Sequence, residues 1–200
     1  MQIKVESTNL GDIVVVIPEI FQDARGFFSE TFRADQFKAI GLPTEFVQDN
    51  HSRSAKGVIR GLHFQWEPPM GKLMRVTAGA AFLVAVDIRK GSPTTGKWFG
   101  VEASAENRRC VWAPGSFARG FCALTEGAEI QYKCTGIYNG KAESAIRWND
   151  PEIGIKWPLS DVFVSDKDRN ARSLADWLNS PESENFQYAA EQELQGALRS

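Results

Sequence analysis

A succession of short apolar runs, each ended by Gly, Pro, Asn or Asp, fills the chain up to about residue 157 and leaves little length for helices. GDIVVVIPEIF, EFVQDNHS, GVIRGLHFQ, GKLMRVTAGAAFLVAVDIRKGSP, KWFGVEAS, RCVWAPGSFARGFCAL, AEIQYKCTGIY and AIRWND are rich in Val, Ile and aromatic residues at strand-like lengths. Turn residues at these intervals predict an all-β sandwich or barrel. Helical patterns stay at the margins: RADQFKAIG ends at a glycine stop, ARSLADWLN offers one amphipathic stretch, and NFQYAAEQELQGALR is rich in helix formers. SPESE between the last two reads as a linker. With 200 residues and no internal repeat, one domain over 1–178 is expected, followed by a helical appendage over 179–200 too short to bury a core of its own.

Charge and composition narrow the function. A net charge of -2 argues against a nucleic-acid surface, which needs a clustered basic excess. The N-terminus is polar, and no apolar run approaches the roughly 18 residues of a membrane span, so a cytoplasmic protein without membrane contact is expected. Cys110, Cys122 and Cys134 lack any C-x-x-C spacing, and they read as reduced thiols used as small apolar residues.

Only two histidines occur, His51 and His63, and His63 stands in a strand-like run beside Arg60 and Gln65, with Lys72 just beyond a Pro-Pro turn. A lone strand histidine is commonly a hydrogen-bonded structural residue, but polar groups crowded among residues that want burial point to a ligand or partner. In a regular strand Arg60 and His63 point to opposite faces. Either Gly61 marks a bulge that re-aims one of them, or they serve different sides. Tyr132 and Tyr138 share parity with Ile130 and Cys134, which reads as two tyrosines on an inner sheet face, or as phenols opposing an imidazole in an acid/base pair. In VFVSDKDRN, Asp166 and Asp168 read as a charged turn capping a helix, or as a carboxylate that orients a histidine ring. Arg25 and Glu30 in DARGFFSETF, and Gln48, Asp49 and Asn50 in FVQDN, suit phosphate, ribose and base edges.

Taken in order over about residues 9 to 175, DARGFF, FVQDNHS, GVIRGLHFQ, GKLMRV, AVDIRKGSPTTGKW, WAPGSFARGF, QYK, WNDPEIGIKWP and VSDKD resemble the dTDP-4-dehydrorhamnose 3,5-epimerase family. The resemblance implies a cupin-type jelly roll with short peripheral helices, a homodimer exchanging N-terminal strands, and no metal or other cofactor. By motif position it implies His63 as general base, Asp168 as its partner, Tyr132 as the acid on the opposite face and Lys72 beside the enolate oxygen. It also implies Arg60 on the diphosphate, Arg25, Glu30, Gln48 and Asn50 around nucleotide and sugar, and Tyr138, Glu143 and Lys167 close by. The substrate class the resemblance implies is a dTDP- or CDP-linked 4-keto-6-deoxyhexose. Two positions depart from the family: Arg119 stands where histidine is usual and Leu83 where aspartate is usual. They are expected to face each other, as though one His/Asp pair had been removed together. The departures bring in a 3-epimerase as an alternative, and beside it a non-catalytic sugar-nucleotide-binding cupin; Tyr132 and Lys72 argue against a 3,4-ketoisomerase.

Overall fold

The computed structural model describes residues 2–188. In chain order its elements are β1 (Ile3–Glu6), β2 (Val14–Pro18), β3 (Phe21–Asp23), β4 (Gly26–Phe28), α1 (Ala34–Ala39), β5 (Gln48–Ser54), β6 (Val58–Gln65), β7 (Lys72–Ala78) and β8 (Ala80–Asp87). There follow β9 (Trp98–Ser104), β10 (Cys110–Ala113), β11 (Phe117–Ala123), β12 (Ala128–Cys134), β13 (Glu143–Ala145), β14 (Phe163–Val164), α2 (Asp166–Arg169) and α3 (Leu174–Leu178). Two antiparallel sheets form a sandwich, ordered β1-β2-β10-β7-β12-β5 and β13-β6-β11-β8-β9. β14 joins the edge of the second sheet, running parallel to β6.

The strand runs become strands because their alternation matches the sandwich. On β7 and β12, Met74, Val76, Ala128 and Ile130 point between the sheets and meet Leu83, Ala85, Phe117 and Phe121 of the second sheet. β8 and β11 read as nearly continuous apolar runs because both their faces are covered. Beneath the second sheet Leu62, Phe64, Val84, Val86 and Ala118 pack against Leu174, Trp177 and Phe186. Outside the first sheet, Val16, Leu73 and Trp112 are capped by Phe37 and Leu42.

Several expectations are corrected here. AIRWND was read as a strand, but the strand is Glu143–Ala145 and beyond it only Ile146 makes a single bridge, to Arg172. The polar N-terminus, not read as a strand, pairs Ile3–Glu6 with Pro18–Val15 through backbone bonds that need no apolar side chains. SPESE is not a linker: Pro181–Phe186 form a 3₁₀ helix whose Ser183 and Phe186 are buried, the latter 5.8 Å from the Trp177 ring. The rest of the C-terminal helical pattern, 189–200, lies outside the described residues. No helix among the described residues is long and apolar enough to cross a membrane.

Candidate active site

Whether Arg60 and His63 share a face is decided by a bulge. Arg60 pairs with Phe121 and His63 with Arg119, so Gly61 and Leu62 oppose the single residue Gly120. One extra residue reverses the parity, and both polar side chains enter the space between the sheets. Gly61 permits this because its φ of +134° is open to glycine and because a Cβ there would sit 2.6 Å from the Gly120 Cα.

The bulge also frees the Gly61 amide, which donates to Asp168 Oδ2 at 3.2 Å. Asp168 reaches that point from α2, whose first turn is capped by Ser165 Oγ accepting from the Asp168 amide. Its other oxygen lies 2.6 Å from His63 Nε2. Burial pushes the Asp168 carboxyl upward, but the bonds from His63, Gly61 and Ser165 outweigh it and hold the group below the usual carboxylate range. An ionised Asp168 makes Nε2 the protonated nitrogen, which leaves Nδ1 to accept a proton.

The other inward positions follow from register. Lys72 opposes Cys134, Tyr132 opposes Met74 on one side and Asn50 on the other, and Cys134 opposes Gln48. The Lys72 ammonium lies 5.7 Å from the centre of the Tyr132 ring. Burial pulls Lys72 below the usual lysine value, with Arg119 adding to the effect against the pull of Cys134 and Glu143. Burial raises the Tyr132 phenol and Cys134 adds to it, outweighing Asn50 and Arg60, so the hydroxyl keeps its proton at neutral pH. Gln48 Nε2 donates to Asn50 Oδ1 at 3.1 Å, and Gln48 Oε1 accepts from the Tyr138 amide at 2.8 Å.

At the mouth, Lys167 pairs with Glu143 at 2.5 Å, and the Tyr138 hydroxyl donates to the same oxygen at 3.0 Å. Tyr138 is exposed and lies beyond the end of β12, so it is not on an inner sheet face as its parity suggested. Arg60 Nε donates to Ser54 Oγ. Arg25 pairs with Asp23 at 2.5 Å on the tip of the β3–β4 hairpin, and Glu30 lies 3.5 Å from Arg33. Neither contacts the His63 group within one chain. Arg119 sits opposite His63 and Ala85, and Leu83 opposite Phe121, so the two departing positions share a face one register step apart and are not directly paired.

Gln65 was noted in the polar cluster around His63 but given no role of its own, yet it fixes the loop at the mouth. Its amide donates to the carbonyls of Pro68 (2.9 Å) and Ile137 (3.0 Å) and accepts from the Asn139 amide, which fixes the loop carrying Tyr138. A buried glutamine at the end of a strand, one step past His63 on the same face, was the available signal.

The arrangement sets a carboxylate-backed imidazole on the inner face of one sheet and a half-buried phenol and an ammonium on that of the other, an equipment for taking a proton from carbon and returning it elsewhere. The family model for dTDP-4-dehydrorhamnose 3,5-epimerase matches residues 7–176. The chain belongs to the dTDP-4-dehydrorhamnose 3,5-epimerase family. A 3,5-epimerase of this name from Shigella flexneri is 50% identical over 171 residues, covering 84% of this chain and 94% of the relative. The crystal structure of the Legionella pneumophila dTDP-6-deoxy-D-glucose-3,5-epimerase in complex with dTDP-4-keto-L-rhamnose superposes with a TM-score of 0.87 at 44% identity, over 93% of this chain and 98% of that one. A dTDP-4-dehydrorhamnose 3-epimerase from Streptomyces niveus is 38% identical over 163 residues, 80% of this chain and 79% of the relative. Family membership and the antiparallel sandwich agree with what the ordered motifs implied.

Proposed function

We propose that the protein epimerises a nucleotide-diphospho-4-keto-6-deoxyhexose, with dTDP as the nucleotide, through an enolate formed next to the ketone. The observation that carries this reading is the His63–Asp168 pair at 2.6 Å on the inner register of one sheet, with Lys72 and Tyr132, 5.7 Å from ammonium to ring centre, on the inner register of the facing sheet. The 4-ketone acidifies the C–H bonds at C3 and C5 because the electron pair left behind delocalises onto the C4 oxygen. His63 Nδ1 takes the proton, Lys72 supports the charge on oxygen, and Tyr132 returns a proton to the opposite face of the carbon. Among the described residues no group of His, Cys, Asp and Glu has the clustering of a metal site, and enolisation of a ketone needs only these three protein groups.

Arg60 is assigned to the diphosphate, and Gln48, Asn50, Tyr138, Glu143 and Lys167 to the rim around sugar and nucleotide. Arg25 and Glu30 reach a site by exchange of the exposed β3–β4 hairpin with a second subunit of a homodimer. The enzyme works in the reducing cytoplasm, where the three buried thiols stay free.

A second reading, a 3-epimerase, is favoured by Arg119 and Leu83, which remove a histidine and a carboxylate from the inner face. The deciding measurement is incubation with dTDP- and CDP-4-keto-6-deoxyglucose in deuterated water, reading by NMR which carbons exchange. Exchange at C3 with slow or absent exchange at C5 selects the 3-epimerase. Rapid exchange at both with an L-configured product selects the 3,5-epimerase, and no exchange on either substrate overturns both.

A further inference from the structure

Arg119 is 3% exposed and sits in the middle of a sheet, where a guanidinium is costly to bury. Its Nη1 donates to the backbone carbonyl of Lys72 at 3.3 Å and its Nε to that of Val84 at 3.3 Å, while Nη2 has no partner. Its cross-strand neighbours on the inner face are His63 and Ala85, with Leu83 diagonal to it, and among the described residues no carboxylate pairs with it. Lys72 likewise has no ion pair among the described residues. Two cations of one cleft are thus tied together through a backbone carbonyl, and neither has a carboxylate in contact.

Like charges in a desolvated space disfavour each other's ionisation, and lysine gives way before arginine. The groups acting on Lys72 are Arg119 from β11, Cys134 and Tyr132 from β12, and Glu143 from β13. Burial is the main cause that lowers Lys72; of these groups Cys134 and Glu143 favour its charge, and Arg119 opposes it in the same sense as burial. Burial brings Arg119 itself down to about 9, still charged at neutral pH.

We propose that Arg119 is a positioning residue that turns Lys72 from a static cation beside the ketone oxygen into the acid that protonates it, so that the reaction passes through a neutral enol. The inference rests on the epimerase reading above. As His63 Nδ1 takes the proton from carbon, the C–H electron pair becomes the new C=C bond and the carbonyl π pair moves to oxygen. The oxygen then takes a proton from Lys72 Nζ, leaving a neutral amine and an enol. On the return, the enol O–H gives its proton back to Nζ as carbon takes one from Tyr132 on the other face. Solvent exchange resets His63 and Tyr132, so protons and electrons balance over the cycle.

The first test needs no substrate. In enzyme carrying ¹³C-labelled lysine, the Lys72 Cε signal, assigned by its loss in Lys72→Met, should titrate below the surface lysines. In Arg119→Met it should move back toward them. Titration of Lys72 together with the surface lysines overturns the proposal, whatever the variant does. The second test is the pH profile of kcat for deuterium exchange. Wild-type activity should fall at alkaline pH as Lys72 loses its proton, Arg119→Met should shift that fall upward with KM little changed, and Arg119→Lys should keep it in place. A uniform loss of kcat at every pH with an unmoved alkaline limb means that Arg119 only holds the strand, and overturns the proposal. If Lys72 titrates low and moves back in Arg119→Met but no substrate exchanges, the epimerase reading fails and the coupling of Arg119 to Lys72 stands. If it titrates low and Arg119→Met leaves it in place, burial alone lowers it and the proposal is overturned.

Discussion

In the proposed mechanism His63 takes a proton from substrate only if Asp168 keeps Nε2 protonated, and the 2.6 Å contact between them makes both roles testable. His63→Ala should lower deuterium exchange by about 10²–10⁴-fold, the usual weight of a positioned acid or base, while dTDP affinity measured by calorimetry stays near wild type. Asp168→Asn should lower the rate by up to about 10⁴-fold, the loss seen when the aspartate behind a serine-protease histidine becomes asparagine. Wild-type exchange in His63→Ala would remove the base from this assignment. Tyr132→Phe separates two events: the base can still remove and return a proton on its own face, so exchange with retention survives while inversion is suppressed. NMR of the recovered sugar distinguishes the two, and inversion at the normal rate places the acid elsewhere. Much of this set was legible in the sequence as residue types in order. The contact was not, because His63 and Asp168 are 105 positions apart and only the folded chain joins them. Arg119 and Leu83 show the same limit: the sequence marks both as departures, but their diagonal placement is a matter of register.

At the scale of elements, the long strands were read with their turns because binary alternation and covered faces leave a direct mark on the sequence, whereas AIRWND, read as a strand, lies almost wholly beyond Glu143–Ala145. The bulge in β6 left only a glycine. Gly61→Ala puts a Cβ 2.6 Å from the Gly120 Cα and 2.9 Å from the Arg119 carbonyl oxygen, in a backbone region L residues avoid. Strain of that kind costs about 1–3 kcal/mol before the clash is counted. The variant should therefore unfold at lower urea, and in whatever remains folded the exchange rate should fall more than dTDP affinity does, because His63 and the Gly61 amide lose their common aim. Unchanged stability and exchange would show that β6 can pair without the bulge. β1 and the 3₁₀ helix were missed for a different reason. Their backbone bonds and one buried aromatic, Phe186, decide them, and neither produces a periodic pattern over so few residues.

For the whole molecule, two buried carboxylates tie stability to pH. Asp87 is fully buried; burial pushes its carboxyl up, but bonds from Arg89, Thr94 and Ser92 outweigh it and hold it below the usual range. Asp168 is lowered in the same sense. Because both folded values lie below the unfolded ones, their contribution is fully present above about pH 4 and is lost as pH falls through the folded values. Urea midpoints should drop on going from pH 5 to pH 3. Asp87→Asn should cost about 3–5 kcal/mol at neutral pH by leaving the Arg89 charge underpaired, and should flatten that acid slope. The hairpin raises a larger question of assembly. Phe27 and Phe28 are 62% and 65% exposed, Arg25 stands at its tip, and β1 is already paired with β2 inside the chain, so β3–β4 is the segment available for exchange. If each site takes His63 from one subunit and Arg25 from the other, two inactive variants can complement each other. A heterodimer of His63→Ala and Arg25→Ala subunits holds one site with both changes and one with neither. Mixing the purified variants, unfolding and refolding them together should recover about a quarter of wild-type exchange, since half of a random C₂ population is mixed and each mixed dimer has one intact site of two. Recovery no greater than the sum of the separate variants would mean that Arg25 serves the His63 of its own chain, and that the exposed phenylalanines are covered by something other than an exchanged hairpin.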